Sequence, residues 1–177
     1  MSTKVVIPGS FDPITFGHLD IIERAAERFD TVIVAVLENP GKEALFSVEE
    51  RMDLIAGAIE HLDNVEVGSF HGLLVDFCRD RGVGTILKGL RAVSDFEYEL
   101  QMAQMNRRMG SVETLFLPTA PDHSYLSSSL VKQVARYGGP LDGTVPDRVA
   151  EALQKAYAQV DRDPRATPGP PQPGAWG

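Results

Sequence analysis

Near its start the chain reads Gly9-Ser10-Phe11-Asp12-Pro13-Ile14-Thr15-Phe16-Gly17-His18, between an apolar strand-like run and an amphipathic helical pattern. Gly9 and Gly17 allow the backbone to approach a ligand closely, and Pro13 stiffens the turn between them. A helix that begins near Gly17 directs unpaired N–H groups at an anion. The stretch therefore predicts a phosphate-handling turn, in which His18 donates a hydrogen bond to charge that develops on a phosphoryl oxygen.

Strand-like runs recur along the chain and alternate with helical patterns or turns. They lie at Lys4–Pro8, Thr31–Leu37, Asn64–Val67, Thr85–Lys88 and Thr114–Leu117. The second run is apolar without alternation, as expected for a strand that is covered on both faces in a parallel sheet. The alternation predicts an α/β protein, a single doubly wound domain around a five-stranded parallel sheet.

The helical patterns carry their own boundary signals. Ser47 followed by Glu50 has the spacing of a capping box and marks the start of the second helix. A third helix is predicted from Leu73 to Arg81, and a final helix from Pro146 to about Val160.

The fourth helical pattern, from about Ser94 to Met109, carries two apolar stripes. One consists of Phe96, Leu100 and Ala103, and the other of Tyr98, Met102, Met105 and Met109. Two apolar faces need two partners. We therefore predict that one stripe packs on the sheet and that the other forms a subunit interface.

Residues 1–160 form the predicted domain, because a chain of 177 residues has room for one α/β domain with a substantial core. Residues 161–177 differ from it in composition. They contain five of the 12 prolines and almost no apolar side chains. This composition predicts a disordered tail.

The balance of charges limits the partners that the chain can have. It carries 25 acidic and 17 basic side chains and a net charge of -8, which argues against a nucleic acid or an anionic membrane surface. A phosphate ligand needs basic residues that are gathered locally, and Lys42, Lys88, Arg91 and Lys132 are candidates. Cys78 is the only cysteine, and the sequence shows neither a signal arrangement nor a membrane-spanning run, which predicts a cytoplasmic protein.

Polar residues follow four of the predicted strands, where parallel α/β sheets gather their ligands. Ser10 and His18 follow the first strand and Lys42 the second, Lys88-Gly89-Leu90-Arg91 closes the fourth, and Ser127-Ser128-Ser129 opens the helix after the fifth. Alone, the serines would be helix caps, Lys42 a solvated lysine and His18 a structural histidine. Their shared position at one edge of the sheet favours a phosphate site.

The stretch from Gly9 to His18 resembles the (H/T)xGH signature of the nucleotidylyltransferase superfamily. Lys88 to Arg91, Asp95 to Glu99 and Ser127 to Lys132 narrow the resemblance to the bacterial phosphopantetheine adenylyltransferases, over roughly residues 4–160. The resemblance implies a Rossmann-like nucleotidyltransferase fold. It also implies reversible transfer of the adenylyl group of ATP to 4'-phosphopantetheine, which gives dephospho-coenzyme A and pyrophosphate in the penultimate step of coenzyme A synthesis.

The resemblance further implies roles for single residues. His18 stabilises the charge that develops at the α-phosphate, and Lys42 holds the transferring phosphates. Ser10 and Lys88 contact the acceptor phosphate, and backbone around Leu74 contacts the pantetheine arm. The implied nucleotide site comprises Ser10, Phe11, His18, Gly89, Leu90, Arg91, Glu99, His123, Ser124, Tyr125, Leu126, Ser127, Ser128 and Ser129.

Mg²⁺ is implied as the partner of ATP, coenzyme A as a feedback ligand and a homohexamer as the assembly. The sequence contains no compact carboxylate cage for the metal, which favours Mg²⁺ held by phosphates and water. No general base is expected, because the acceptor phosphate is already anionic near neutral pH.

Two other functions stay open at this point. A sister nucleotidylyltransferase that acts on nicotinate mononucleotide or glycerol phosphate shares the Gly-His turn, and a nonenzymatic nucleotide-binding module shares the sheet. A dehydrogenase is disfavoured because the first turn lacks the G-x-G-x-x-G spacing, and a P-loop NTPase because no Gly-Lys-Ser/Thr follows.

Overall fold

The structure is a computed structural model, and it describes residues 3–38 and 43–160. Strands and helices alternate in it as β1 (Lys4–Gly9), α1 (Phe16–Ala26), β2 (Thr31–Leu37), α2 (Val48–Ala58), β3 (Val65–Phe70), α3 (Leu74–Asp80), β4 (Thr85–Leu90), α4 (Val93–Gly110), β5 (Glu113–Pro118), α5 (Ser128–Arg136) and α6 (Asp147–Val160). A short 3₁₀ turn, Pro121–His123, precedes α5. Lys42 and the predicted tail at 161–177 lie outside the described residues.

The five strands form one parallel sheet in the order β3-β2-β1-β4-β5, which confirms the predicted α/β fold. The chain order reverses between β1 and β4. β1 and β2 stay in register from Lys4 with Thr31 to Gly9 with Val36, whereas β1 meets β4 at a single pair, Val6 with Ile86. The carboxyl ends of β1 and β4 therefore separate at the switch point, where such sheets bind ligands.

Apolar layers cover both faces of the sheet. Val5, Val32 and Val34 belong to a core cluster with residues of α1, α2, α5 and α6, whereas Val6 and Ile33 belong to a second cluster with residues of α3. β2 is buried on both sides, as its continuous apolar run predicts. Each fully buried Val or Ile side chain contributes about 1.5–3 kcal/mol relative to exposure.

The predicted start of α2 is confirmed in detail. The Glu50 N–H donates to Ser47 Oγ at 3.1 Å, and the Ser47 N–H donates to the Glu50 carboxylate at 2.8 Å. This reciprocal pair satisfies two of the backbone N–H groups that a helix start leaves without partners.

β3 runs from Val65 to Phe70 and is longer at its end than the predicted Asn64–Val67. Gly68 and Ser69 hide this extension in the sequence, because both residue types are poor strand formers. The ladder with β2 nevertheless continues until Leu37 meets Phe70. Pairing with a buried neighbour outweighs the local preference.

The sequence leaves open which apolar stripe of α4 packs on the sheet, and the structure packs neither stripe there as a whole. Phe96 and Leu100 of one stripe are 38% and 39% exposed, although the Phe96 ring meets Phe116 of β5 with centroids 5.6 Å apart. The row that faces inward is instead Glu99, Ala103 and Asn106, and Asn106 is buried. α4 lies at the rim of a cavity, so its inward row carries polar side chains that face that cavity.

Candidate active site

A cleft with a volume of about 570 Å³ opens where the ends of β1 and β4 separate. The β1–α1 turn, the end of β4, α4 and the start of α5 all contribute to its walls. The lining residues include Ser10, Phe11, Thr15, Gly17, His18, Lys88, Gly89, Arg91, Glu99, Thr119, Leu126, Ser127, Ser128 and Ser129. Parts of the chain that are more than 100 residues apart thus meet at one end of the sheet.

The cleft brings together most of the site residues that the sequence suggested, but not all of them. Ser10, Phe11, His18, Lys88, Gly89, Arg91, Glu99, Leu126 and the three serines line it. Four residues of the suggested nucleotide site do not line it, namely Leu90, His123, Ser124 and Tyr125.

His123 packs beside the start of α1 instead of facing the cleft. Its ring stacks on Phe16 with centroids 6.1 Å apart. Its carbonyl oxygen lies 3.3 Å from the position that a Cβ on Gly17 would occupy. Its contacts with α1 are the reason why Gly17 needs to be small.

His18 is held from one side by the residue that caps α1. The Thr15 N–H donates to His18 Nδ1 at 3.0 Å, and Thr15 Oγ1 lies 3.1 Å from the same nitrogen. Because Nδ1 accepts the backbone N–H, the proton of the neutral ring is on Nε2. The ring is thereby fixed in the tautomer that donates a hydrogen bond from its other edge.

The surroundings of His18 also keep the ring uncharged. Burial, followed by the positive charges of Arg91 and Lys88, lowers the pKa of His18 from 6.5 to about 4. The ring is then a neutral donor near pH 7. A neutral donor cannot act as a charged acid, but it can stabilise a phosphoryl oxygen as charge builds up there.

The turn that carries Ser10 has an unusual backbone. Phe11 has a φ of 46°, in the left-handed region that non-glycine residues seldom adopt. Its ring lies over Gly9, where an added Cβ would be 3.0 Å from the ring carbons, and meets the His18 ring edge-on at 5.0 Å. The small size of Gly9 therefore makes room for the ring that packs against His18.

The three serines of α5 have different roles. Ser127 caps the helix by accepting a hydrogen bond from the Leu130 N–H at 3.1 Å. The Ser128 hydroxyl donates to the Pro13 carbonyl at 2.7 Å and so fastens α5 to the β1–α1 turn. All three line the cleft, at a helix start suited to anions.

Lys88 and Glu99 form an ion pair at 3.1 Å, with side chains that are 25% and 20% exposed. Both line the first cleft and also a second chamber of about 390 Å³. The second chamber is more apolar and contains Leu73, Leu74, Met102, Ala103, Asn106, Met109 and Thr114. The two cavities adjoin each other, because Ser10, Lys88 and Glu99 line both.

Lys132, a candidate for a phosphate contact, has a different partner in the structure. Its ammonium donates to the Asp12 carboxylate at 2.6 Å, and Lys132 does not line the cleft. Asp12 also accepts the N–H groups of Leu45 and Phe46, each at 3.0 Å. Of the candidate cations, Lys88 and Arg91 line the cleft and Lys132 pairs within the protein instead.

Arg51 is a buried residue near the site that the sequence did not reveal. Its guanidinium donates to the carbonyls of Ser10 at 2.7 Å, Leu37 at 3.2 Å and Ser47 at 3.3 Å. It thus ties the β1–α1 turn to both ends of the connection between β2 and α2. Thr15 was missed as well, although its position three residues before His18 is the spacing of a capping box.

Among residues 3–38 and 43–160, no group of three or more His, Cys, Asp or Glu side chains is arranged to hold a metal ion. In the same part of the chain, no helix is long and apolar enough to cross a membrane. The lining of the cleft carries more positive than negative charge, because Lys88 and Arg91 face it with one carboxylate, Glu99, which pairs with Lys88.

Comparisons with known proteins agree with this geometry. The family model for cytidylyltransferase-like proteins matches residues 6–134. A solved structure described as a putative nicotinate-nucleotide adenylyltransferase from Vibrio parahaemolyticus superposes with a TM-score of 0.66 over 89% of this chain and 96% of that one. At 16% identity, this likeness shows the fold alone.

The curated relatives are much more similar in sequence. A phosphopantetheine adenylyltransferase from Frankia casuarinae is 59% identical over 88% of this chain and 99% of the relative. Those from Streptomyces coelicolor and Staphylococcus carnosus are 61% and 53% identical, over 85% and 89% of this chain and 94% and 98% of the relatives. The chain therefore belongs to the phosphopantetheine adenylyltransferase family, within the cytidylyltransferase-like fold.

Proposed function

We propose that this protein transfers the adenylyl group of ATP to 4'-phosphopantetheine and releases pyrophosphate. One observation carries the proposal beyond family membership: a neutral Nε2–H donor, His18, lies in a cation-lined cleft that adjoins a more apolar chamber. The cleft suits a nucleotide with its phosphates. The chamber suits the extended, mostly apolar arm of the acceptor.

The reaction needs no general base on this chain. An oxygen of the acceptor phosphate attacks the α-phosphorus of ATP, a new P–O bond forms, and the bond from the α-phosphorus to the bridging oxygen breaks. Pyrophosphate leaves with that oxygen. Because the attacking oxygen is already ionised, positioning and charge stabilisation supply the rate enhancement.

His18 and the cations divide this work. His18 donates from Nε2 to an α-phosphate oxygen, and the donation strengthens as charge develops there. Lys88, at the junction of the two cavities, binds the acceptor phosphate, while Gly89, Arg91 and the α5 serines hold ATP. Ser10 lies between both ligands, and Lys42 stays a proposed phosphate ligand outside the described residues.

The second chamber gives the acceptor its place. Leu74 backbone and the buried side chain of Asn106 lie along it, and Thr114 Oγ1 is a buried hydroxyl without a protein partner in the described structure. These groups supply polar contacts to the amides of an otherwise apolar arm. Nicotinate mononucleotide and glycerol phosphate have no comparable arm, which supports phosphopantetheine over the sister reactions.

The residues of the cleft do not fit a protein-held Mg²⁺, because its positive side chains and its paired Glu99 offer no set of free carboxylates. We therefore propose that Mg²⁺ enters as part of the ATP complex, held by phosphates and water. A homohexamer is proposed on the exposed apolar side chains of α4. Coenzyme A, which carries both an adenine nucleotide and a pantetheine arm, is the proposed feedback ligand, and the cytoplasmic location stays a prediction.

A substrate panel tests the proposed function. The purified protein is given ATP with 4'-phosphopantetheine, nicotinate mononucleotide or glycerol phosphate, and pyrophosphate release is measured. Of the three acceptors, we expect only 4'-phosphopantetheine to give pyrophosphate release. Release with nicotinate mononucleotide but not with phosphopantetheine would contradict the proposal, and ATP binding without release for any acceptor would favour a nonenzymatic module.

A further inference from the structure

One carboxylate joins three elements around the cleft without facing it. The Asp12 side chain accepts the N–H groups of Leu45 and Phe46 at 3.0 Å each and the Lys132 ammonium at 2.6 Å. Asp12 lies in the β1–α1 turn, Leu45 and Phe46 precede α2, and Lys132 lies in α5. We name this set of contacts the Asp12 bracket.

Two of the elements that the bracket joins, the β1–α1 turn and α5, carry proposed phosphate contacts. Asp12 follows Ser10 by two residues and precedes the start of α1, where His18 lies. Lys132 lies about one turn after Ser129, at the start of α5. The bracket therefore sets the spacing between the His18 side and the serine side of the cleft.

The bracket is well shielded from water. The side chain of Asp12 is 8% exposed and that of Lys132 is 23% exposed. An ion pair in such a setting is screened less by salt than a surface pair. Removal of one partner is strongly destabilising, because the other charge is left buried without compensation. Burial raises the pKa of Asp12, but the hydrogen bonds from Lys132, Leu45 and Phe46 outweigh it, so the net pKa lies below its ordinary value and the carboxylate stays charged.

We propose that Lys132 acts on adenylyl transfer as a positioning residue, through Asp12, and not as a ligand of the phosphates. This inference rests on the proposed function. Its physical basis is that reacting groups must be held close to their productive geometry, and a displacement of about 1 Å can reduce a rate by about a hundredfold. Lys132 is close enough to the serine run to be mistaken for a phosphate ligand from the sequence.

A double-mutant cycle separates the two roles. In Lys132→Met we expect kcat to fall about ten- to a hundredfold with little change in the KM for ATP, because the loss is one of geometry. Asp12→Asn should act in the same way. The double variant Asp12→Asn/Lys132→Met should be no worse than the poorer single variant, because the second change removes an interaction that is already lost. Lys132→Arg, which keeps the ion pair, should recover most of the kcat.

The exposed pair Asp53–Arg148 is a matched control, since it also spans 2.6 Å but has side chains that are 67% and 55% exposed. Asp53→Asn and Arg148→Met should leave kcat unchanged. The positioning role would be overturned if the fold-losses in kcat of the two single variants multiplied in the double variant. It would also be overturned if Lys132→Met raised the KM for ATP and Asp12→Asn did not. If Asp12→Asn fails to fold, the kcat and KM values of Lys132→Met and Lys132→Arg still decide between a positioning residue and a phosphate ligand.

A readout without turnover keeps this test distinct from that of the proposed function. The NMR signals of the His18 ring should shift in the same way in Asp12→Asn and Lys132→Met. If the wild type is inactive with every acceptor, the proposed function fails, while equal shifts still support the bracket. Unchanged His18 signals in both variants would contradict the bracket even in an active enzyme.

Discussion

His18 shows, at the scale of single residues, how a fold selects one state of a common side chain. The capping residue Thr15 occupies Nδ1, and burial with two neighbouring cations keeps the ring neutral. A histidine in water would be partly protonated just below neutral pH. In the folded protein the His18 ring is neutral, with its proton on Nε2, before any substrate binds.

The first prediction concerns the titration of His18. Its NMR signals should titrate near pH 4, well below the ordinary value of 6.5, because of burial and of the positive charges of Arg91 and Lys88. Between these two pH values the unfolded chain takes up a proton that the folded chain refuses. The free energy of unfolding contributed by this group therefore falls as the pH decreases from 6.5 to 4.

Lys88→Met is the matched variant for this titration. It removes one of the two positive charges, so the pKa of His18 should rise toward the ordinary value without reaching it. The same variant should raise the KM for phosphopantetheine. A His18 that titrates near pH 6.5 in the wild type would contradict the neutral-donor role.

The second prediction concerns His18→Ala. A donor that acts mainly in the transition state contributes about 10²–10³ in kcat, and its loss should leave ATP binding largely intact. Turnover is measured by pyrophosphate release and ATP binding by calorimetry. His61→Ala, at an exposed histidine outside the cleft, is the control that should change neither value. Wild-type turnover in His18→Ala would remove the residue from the mechanism.

Much of the site could be predicted at this scale, because its residues are close together in short sequence motifs. Ser10, His18, Lys88 and Arg91 all reach the cleft as expected. The partners of Asp12 could not be predicted in this way. Its ion pair with Lys132 spans 120 positions in the sequence, and no local pattern records a contact that depends on the packing of α5.

At the scale of elements, helix starts were easier to predict than helix faces. The cap of α2 follows from two residues three positions apart, and the structure reproduces it. The inward face of α4 depends on what lies beneath the helix, and a cavity requires different side chains from an apolar layer. The apolar periodicity of α4 therefore identified the helix but not the row that faces inward.

The third prediction compares two caps with the same local geometry. Ser47→Ala and Ser127→Ala each remove a hydroxyl that accepts a hydrogen bond from a backbone N–H at 3.1 Å. Each should therefore lower the free energy of unfolding, measured by urea denaturation, by about 1 kcal/mol. Ser127 also lines the cleft, so Ser127→Ala alone should raise the KM for ATP. Equal effects of the two variants on the KM would contradict a phosphate role for Ser127.

At the scale of the whole molecule, α4 exposes an unusual amount of apolar surface for one helix. Tyr98, Leu100 and Met105 are 64%, 39% and 49% exposed, and Leu115 on β5 is 47% exposed. Patches of this kind usually mark an interaction site. A second copy of the chain is the partner that the proposed homohexamer supplies.

The fourth prediction tests that assembly with Met105→Glu, since Met105 lines neither cavity. A buried carboxylate without a partner is costly, so the variant should shift the mass measured by light scattering toward the monomer. Tyr137→Glu, at an exposed aromatic residue on another surface, is the control that should keep the wild-type mass. A wild type that is strictly monomeric at micromolar concentration would contradict the proposed assembly.

Because β1 and β4 share a single register pair, we expect the sheet to resist a pulling force least between these two strands. Six pairs join β1 to β2 and six join β2 to β3, but Val6 with Ile86 alone links the two halves of the sheet in register. Under a pulling force we expect rupture to begin along this line. A substrate that contacts Ser10 on one half of the sheet and Lys88 on the other would connect the two halves. The force needed to unfold the enzyme should therefore be higher with substrates bound than without them.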